Sequence, residues 1–300
     1  SNPEFLREGA AVEDFMRPDR IVLGVEDGRA RAVMERVYQP LHLNDEQILF
    51  TGRRTAEVIK YASNAFLAMK ATFINEISDL CEKVGGNVQE VSRGIGLDRR
   101  IGPQYLEPGP GFGGSCLPKD TMALLKTAQD HDVSLRLVEA TVAANEARKR
   151  AMGRRVIAAC DGSVRGKTIA VLGLAFKAGT DDMRDAPSLA IIQTLLDFGA
   201  RVRVFDPVAM ASAGTKISGV DFARDAYAVA RDADCLVLVT AWNEFRSLDL
   251  ARLRVSMRSA RLVDLRNLYR AEKAECAGFA YTGVGRGFAE QAWRQLDAAE

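Results

Sequence analysis

Histidine is nearly missing from this chain. Only His42 and His131 occur among 300 residues. His42 lies in Pro40-Leu41-His42-Leu43-Asn44, which reads as a loop, and His131 in Gln129-Asp130-His131-Asp132, which reads as a helix end. Both read as structural or solvated, which disfavours a Ser–His–Asp hydrolase and leaves any chemistry to Cys, Lys, Asp, Glu and Asn. Cysteine is also sparse. Cys81, Cys116, Cys160, Cys235 and Cys276 are widely spaced and form no C-x-x-C, which argues against a disulfide framework and a structural zinc site and fits a reducing cytoplasm. No metal is expected. No apolar run approaches the roughly 20 residues of a membrane-spanning helix, and no signal peptide is visible. Net charge is almost absent, with 41 basic residues against 40 acidic ones. Neither a nucleic acid nor a membrane surface is therefore expected as the main partner. What remains is ordinary soluble material, 47% hydrophobic and 27% charged, enough for about two domains.

The most informative segment is Gly109-Pro110-Gly111-Phe112-Gly113-Gly114-Ser115-Cys116-Leu117-Pro118-Lys119-Asp120. Glycines allow close backbone approach to a ligand, and proline suits the first turn of a helix. The thiol is thus expected at a helix N-terminus with Lys119 beside it, where both dipole and ammonium favour thiolate. Asp120 follows by four residues, as a first-turn acid that could also orient water. A cysteine in a glycine loop is ordinarily inert, so the surrounding residues carry the functional reading. Lys60 and Asn64 are four apart and share a helix face. Both are suitable donors for a developing oxyanion, although such a pair alone is ordinarily solvated.

Periodicity divides the chain into three stretches. Residues 1–52 read as part of a sheet domain, with strands over 20–25 and 47–51 flanking a helix over 29–39. Such strands alone would expose an edge. Residues 53–150 read as all-helical. One helix spans 55–84 on Val58, Ala62, Ala65, Phe66, Met69, Phe73, Ile77, Leu80 and Val84, and Gly85-Gly86 stops it. A short helix starts at Asn87, another spans 118–129, and a long one spans 134–159, of the kind that connects domains or packs on a second subunit. From residue 151 to 300 strands and helices alternate, which predicts a parallel sheet with helices on both faces. Residues 221–230 are read there as helix. Ligands should gather at the carboxyl ends of the strands. Gly173-Leu174-Ala175-Phe176-Lys177 follows the first strand in place of G-x-G-x-x-G, and Asp206 lies over 30 residues past Gly173, too far for the usual ribose acid. This predicts a mononucleotide-binding variant in which Lys177 meets a diphosphate or sugar. Residues 286–300 read as a polar tail with a weak amphipathic helix.

The cysteine segment, together with Asn2-Pro3-Glu4-Phe5-Leu6-Arg7-Glu8-Gly9, Pro18-Asp19-Arg20-Ile21-Val22, Lys60-Tyr61-Ala62-Ser63-Asn64-Ala65-Phe66 and Gly173-Leu174-Ala175-Phe176-Lys177 running on to Asp182-Met183-Arg184, resembles the UDP-glucose/GDP-mannose dehydrogenase family. The blocks occur in that family's order. The resemblance implies an α/β protein: a remnant of an N-terminal Rossmann domain for NAD (1–52), a central helical dimerisation domain (53–150) and a C-terminal Rossmann-like nucleotide-sugar domain (151–300). The start at Ser1-Asn2-Pro3-Glu4, in mid-motif, reads as a fragment of a longer enzyme, itself expected to be inactive. The implied activity is a four-electron oxidation of a nucleotide sugar's primary alcohol by two NAD, through a Cys116 thiohemiacetal and thioester. Lys60 and Asn64 would stabilise the tetrahedral oxygen, and Asp120 with Glu4 would manage the hydrolytic water. Arg100, donated by a neighbouring subunit, Tyr105, Leu106, Gly113, Phe176, Lys177 and Arg266 would hold the nucleotide sugar. Lys119 and Arg184 would face NAD. UDP-glucose, giving UDP-glucuronate, is favoured over GDP-mannose or a UDP-N-acetyl-hexosamine. A non-catalytic nucleotide-sugar-binding or dimerisation module is the rival reading.

Overall fold

A computed structural model of the chain describes residues 1–286. The segment beyond Arg286, including most of the tail read as amphipathic, lies outside the described residues. The chain forms two compact units. One comprises residues 1–66 and 119–134, the other 67–118 and the residues from 135 onward.

In the first unit, α1 (Ala11–Met16) precedes β1 (Ile21–Gly24), α2 (Gly28–Tyr38) and β2 (Ile48–Thr51). β1 and β2 pair in parallel, Ile21 opposite Ile48 and Gly24 opposite Thr51. This is the strand–helix–strand pattern that the sequence predicts. Asp27 caps α2 by accepting from the Ala30 N–H at 2.7 Å, as short acidic side chains do at helix starts. The edge expected to be bare is partly met: the Gly24 N–H donates to Ser1 O at 2.7 Å, and Asn2 Nδ2 donates to Val22 O at 3.1 Å. Gly24 is required by packing, since a Cβ there would lie 2.7 Å from Arg53 Cα. Arg53 opens α3 (Arg53–Val84), a 32-residue helix.

Much of the apolar stripe of α3 is exposed, although Ala65 is buried and Ile77 packs on a core. Val58, Phe66, Phe73, Leu80 and Val84 are exposed, whereas Ala56, Asn64, Ala65, Ala68, Thr72, Ile74, Asn75, Ser78 and Cys81 are buried. Apart from Ile74, the buried face is made of small and polar side chains, so hydrophobicity alone misplaces most of it. The α3 helix ends where the glycines predicted, with Gly85 at φ 79° and the Gly86 N–H donating to Cys81 O at 2.8 Å. Asn87 caps α4 (Val88–Gly96) by accepting from the Gln89 N–H. Ile74, Cys81, Val88 and Leu106 then form a small core in the second unit.

After α5 (Leu117–Asp130) comes α6 (Arg136–Ala159), a 24-residue helix about 36 Å long at 1.5 Å per residue. It ends at Asp161 and Gly162, both left-handed. The rest of the second unit is a six-stranded sheet in the order β5-β4-β3-β6-β7-β8, all pairs parallel. Its strands are β3 (Thr168–Leu172), β4 (Arg201–Phe205), β5 (Val220–Phe222), β6 (Cys235–Leu238), β7 (Arg261–Asp264) and β8 (Ala280–Thr282). The helices α7 (Pro187–Asp197), α8 (Met210–Gly214), α9 (Ala226–Ala230), α10 (Asn243–Arg246), α11 (Leu250–Ser256) and α12 (Ala271–Cys276) connect them. Separate apolar cores fill its two sides, one around Val171, Ile191 and Leu195, the other around Leu172, Leu236 and Leu253. This is the doubly wound arrangement that strand–helix alternation implies, with its switch point between β3 and β6. One expectation fails. Residues 221–230 are not one helix: Val220–Phe222 pairs with β4, and α9 starts only at Ala226. Asp225 causes the break, accepting from the Tyr227 and Ala228 N–H groups at 2.9 and 2.6 Å as an N-cap.

Candidate active site

The residues singled out from the sequence fall in both units, and some of them contact one another within a unit. In the first unit, Lys60 Nζ on α3 donates to the Glu4 backbone oxygen at 2.5 Å and to Glu4 Oε1 at 3.2 Å. One turn on, Asn64 Nδ2 donates to Asp120 Oδ2 at 2.5 Å. Lys119 Nζ donates to the other Asp120 oxygen. The Asp120 side chain is 1% exposed and Asn64 is 8% exposed, so these groups are held in place by each other rather than by water. Four of the five predicted catalytic residues are therefore joined into two contacting sets, Glu4 with Lys60 and Asn64 with Asp120.

In the second unit, the loop carrying Cys116 is held from several sides. Asn75 Oδ1 accepts from the Gly109 N–H at 2.8 Å, and Arg148 Nε donates to Gly109 O at 3.0 Å. Asn145 grips Phe112 on both sides: its Oδ1 accepts from the Phe112 N–H at 2.9 Å and its Nδ2 donates to Phe112 O at 3.0 Å. Gly113 lies so close to the turn after Arg184 that a Cβ would sit 2.3 Å from Asp185 O. Gly114, at φ 85°, donates to Arg184 O at 2.7 Å, and a Cβ there would meet the Phe176 ring at 2.7 Å. Cys116 itself is half-buried, with Ser115 Oγ 3.6 Å from its sulfur, and immediately precedes α5.

Arg148 is buried, and desolvation pushes its guanidinium below the ordinary value while Asp79 pulls the other way. Its remaining donors go to Asp79 Oδ1, Asn75 O and Ser78 Oγ. Sequence reasoning missed Asn75, Asn145 and Arg148. For Asn75 a signal existed: Asn64, Thr72, Asn75 and Ser78 recur at helical spacing along α3.

The carboxyl ends of β3 and β7 supply three of the predicted sugar-nucleotide residues. Phe176 and Lys177 follow β3. The Phe176 N–H donates to Asp182 O at 3.0 Å. Arg266, after β7, donates from Nε to Val239 O at 2.9 Å and from Nη2 to Phe176 O at 3.2 Å. It also reaches the cysteine loop, since a Cβ on Gly109 would lie 2.9 Å from its Nη1. Burial pushes its guanidinium down to about 10, with Asp264 and Glu107 opposing. Arg184 is exposed and pairs with Asp182 at 2.8 Å. Burial raises the Asp182 carboxyl, but hydrogen bonds and charge from Arg184 outweigh it and leave it below the usual carboxylate range. Arg100 is exposed and paired with Asp98 at 2.7 Å. Tyr105 holds a left-handed φ of 64°. Leu106 is buried, and its carbonyl accepts from Ser92 Oγ at 2.7 Å.

Asp206 has a different task from a ribose acid. It is wholly buried. Its oxygens accept from the Leu174, Ala175, Val208 and Ala209 N–H groups and from Trp242 Nε1, at 2.7–3.1 Å. It ties the β3 and β4 ends together.

Three domain models of one family match the chain: the NAD binding domain of the UDP-glucose/GDP-mannose dehydrogenase family at residues 1–42, its central domain at 54–147 and its UDP binding domain at 170–271. A UDP-glucose 6-dehydrogenase of Rhizobium meliloti is 64% identical over 288 residues, covering 95% of this chain and 66% of that protein. A UDP-glucose 6-dehydrogenase of Rickettsia bellii is 42% identical over 287 residues, with the same two coverages. Among solved structures, a UDP-glucose dehydrogenase from the hyperthermophilic archaeon Pyrobaculum islandicum superposes with a TM-score of 0.84 at 38% identity, over 95% of this chain and 63% of that one. The chain thus spans just under two thirds of the length of the relatives it matches.

Proposed function

The chain belongs to the UDP-glucose/GDP-mannose dehydrogenase family, and from that premise we propose that it serves an NAD-dependent oxidoreductase converting UDP-glucose to UDP-glucuronate. The observation that carries this reading is the cysteine loop, glycine-framed, gripped by buried polar side chains and ending at the start of a 14-residue helix. A binding module needs no such thiol. The high identity to a UDP-glucose 6-dehydrogenase supports the glucose branch over GDP-mannose or a UDP-N-acetyl-hexosamine.

In the proposed cycle the first oxidation turns the C6 alcohol into an aldehyde. The Cys116 thiolate adds to that carbon and forms a thiohemiacetal. The second oxidation leaves a thioester, and water then releases the carboxylate and frees the thiol. Holding the aldehyde covalently lets one site perform both stages. Lys60 and Asn64 donate to the oxygen of the tetrahedral states. Asp120, with Glu4, takes the proton of the attacking water.

NAD, when bound, accepts one hydride in each stage. The parallel β1–α2–β2 unit has the topology from which dinucleotide sheets are built, so these residues fit that cofactor, with Lys119 and Arg184 toward it. Tyr105, Leu106, Gly113, Phe176, Lys177 and Arg266 hold the nucleotide sugar, joined by Arg100 of a neighbouring subunit. We assign residues 1–52, 53–150 and 151–300 to the NAD, dimerisation and nucleotide-sugar domains. The exposed Val58, Phe66, Phe73 and Leu80 of α3 support a homodimer. No helix among the described residues is long and apolar enough to cross a membrane, and the free thiols suit a cytoplasmic location. With two strands in its NAD region, the chain by itself should bind NAD weakly and turn over no sugar.

The test is Cys116→Ser in an enzyme carrying the complete NAD domain. The variant should perform at most the first oxidation, and four-electron turnover by it would refute the covalent role. Calorimetric titration of the parent with UDP-glucose and with GDP-mannose decides the branch; tighter binding of GDP-mannose overturns it. Micromolar NAD affinity of the present chain would contradict its expected weakness.

A further inference from the structure

We propose that Asn145 is a positioning residue for the Cys116 nucleophile, acting through the backbone of Phe112. This rests on the nucleophilic role of Cys116 given above. Asn145 is 3% exposed on α6, so its carboxamide is committed to protein partners. Both ends of that carboxamide go to one residue of the cysteine loop: Oδ1 accepts from the Phe112 N–H at 2.9 Å and Nδ2 donates to Phe112 O at 3.0 Å. A two-point grip fixes both the position and the rotation of a peptide segment, which a single hydrogen bond does not.

The grip sits four residues before the sulfur, and the next residues are shaped to transmit it. Gly111 admits no side chain, since a Cβ would lie 2.9 Å from Asn145 Oδ1. Gly113 and Gly114 are wedged against Asp185 O and the Phe176 ring. The backbone of these glycines lies close against both neighbours, so a displacement at Phe112 has little room to relax there and is passed on toward Cys116. One helical turn along α6, Arg148 holds Gly109 O at 3.0 Å. That anchors the far end of the loop, while Asn145 holds Phe112 in its middle and the Gly114 N–H, donating to Arg184 O at 2.7 Å, ties the end nearest the thiol. Reactivity at a helix entrance depends on where the sulfur lies relative to the first-turn N–H groups. Loss of the grip therefore lowers the reactivity of the thiol.

The test reads thiol chemistry and not turnover. The chain is treated with limiting iodoacetamide near neutral pH, and alkylation of Cys116 is followed by peptide mass spectrometry. The exposed Cys276 in the same molecule serves as the internal reference. In the parent, Cys116 should react faster than Cys276. A parent in which it does not would remove the nucleophile itself, and the proposal with it. Asn145→Ala should slow Cys116 relative to Cys276 by about threefold or more. Asn145→Asp keeps the acceptor for the Phe112 N–H and should recover part of that loss. A purely structural role would not produce this graded rescue. Gly111→Ala perturbs the same contact from the loop side, and should also slow Cys116 should Asn145→Ala not fold. With a fast parent, a Cys116 rate unchanged or raised in every folded variant overturns the positioning role while leaving the nucleophile intact.

Discussion

The two parallel sheets of this chain are built from similar strands and clothed very differently. In the six-stranded sheet, β3 and β6 are buried along their whole length, with apolar cores on both faces. In the two-stranded sheet, β1 is buried but β2 is not, and Val33, Val37 and Leu49 around it are exposed. Burial, not strand content, sets how much each sheet holds. A fully enclosed aliphatic side chain contributes about 1.5–3 kcal/mol more than an exposed one. The second unit is therefore the more heavily packed frame and carries the cysteine loop, while the first carries its own polar cluster in a lightly built region. The same contrast appears in the polar clusters of the two units. The loop of the second unit is fixed by buried side chains gripping backbone, and the first unit's residues are fixed by gripping one another.

The widest gap should appear in core truncations. Leu195, wholly buried on α7, should cost about 2–5 kcal/mol when replaced by alanine. Leu49→Ala, at a position 48% exposed on β2, should cost less than about 0.5 kcal/mol. Urea unfolding followed by circular dichroism measures both. Equal losses would show that the two sheets are equally packed and would break the contrast.

A smaller effect belongs to the polar cluster of the first unit. Asn64→Ala removes a 2.5 Å donor from the buried Asp120 carboxylate, and leaving a buried acceptor underpaired costs about 1–3 kcal/mol. Lys119→Ala removes the other donor, whose side chain is 68% exposed, and a pair of that kind ordinarily contributes about 0–1 kcal/mol. The same unfolding assay should rank Asn64→Ala as the more damaging. The reverse order would mean that the exposed ammonium, not the carboxamide, secures Asp120.

How far the sequence announces these features depends on the kind of interaction. Strand–helix alternation after Lys167 and the stop signals at Gly85 and Gly162 are local, and the fold follows them closely. The Cys116 loop is legible because glycine, proline and cysteine at those spacings satisfy several constraints at once. The buried side of α3 is not legible, because its small and polar residues are chosen for close approach and for distant partners. Asn145 and Asn75 act on backbone groups 33 and 34 residues away in sequence, and a hydrogen bond to a backbone leaves no mark on the residue that receives it. β5 is likewise hidden, separated from α9 by two residues and the capping Asp225. Asp206 is half legible. Its distance from Gly173 argues against a ribose partner, but nothing in its spacing reveals the set of N–H groups it gathers.

The smallest expected effect sharpens the contrast at the sheet's far end, where charge is buried behind Arg266. Asp264 is wholly enclosed, and burial raises its carboxyl even though the Tyr269, Leu268 and Arg266 N–H groups and the Tyr281 hydroxyl hold it down. Burial likewise pushes Tyr269 and Tyr281 above the ordinary phenol value, with Asp264 adding to both. In mildly alkaline solution the unfolded chain then releases phenolic protons that the folded chain keeps, so stability falls as pH rises past the ordinary phenol range. Arg266 works the other way. Its guanidinium, lowered to about 10, gives up its proton more readily in the folded chain, which adds stability over the same range. Arg148, also lowered by burial, acts with Arg266, whereas the Cys81 and Cys235 thiols, both raised, act with the tyrosines; the tyrosine part is what Tyr281→Phe reads. Tyr281→Phe removes one opposing group along with a 3.2 Å hydrogen bond to Asp264. It should cost about 0.5–1.5 kcal/mol at neutral pH and make the alkaline decline shallower. Urea midpoints taken from about pH 8 to about pH 11 measure both. A decline as steep in Tyr281→Phe as in the parent would mean that this hydroxyl is solvated, and that the second sheet is less closed at its carboxyl end than at its centre.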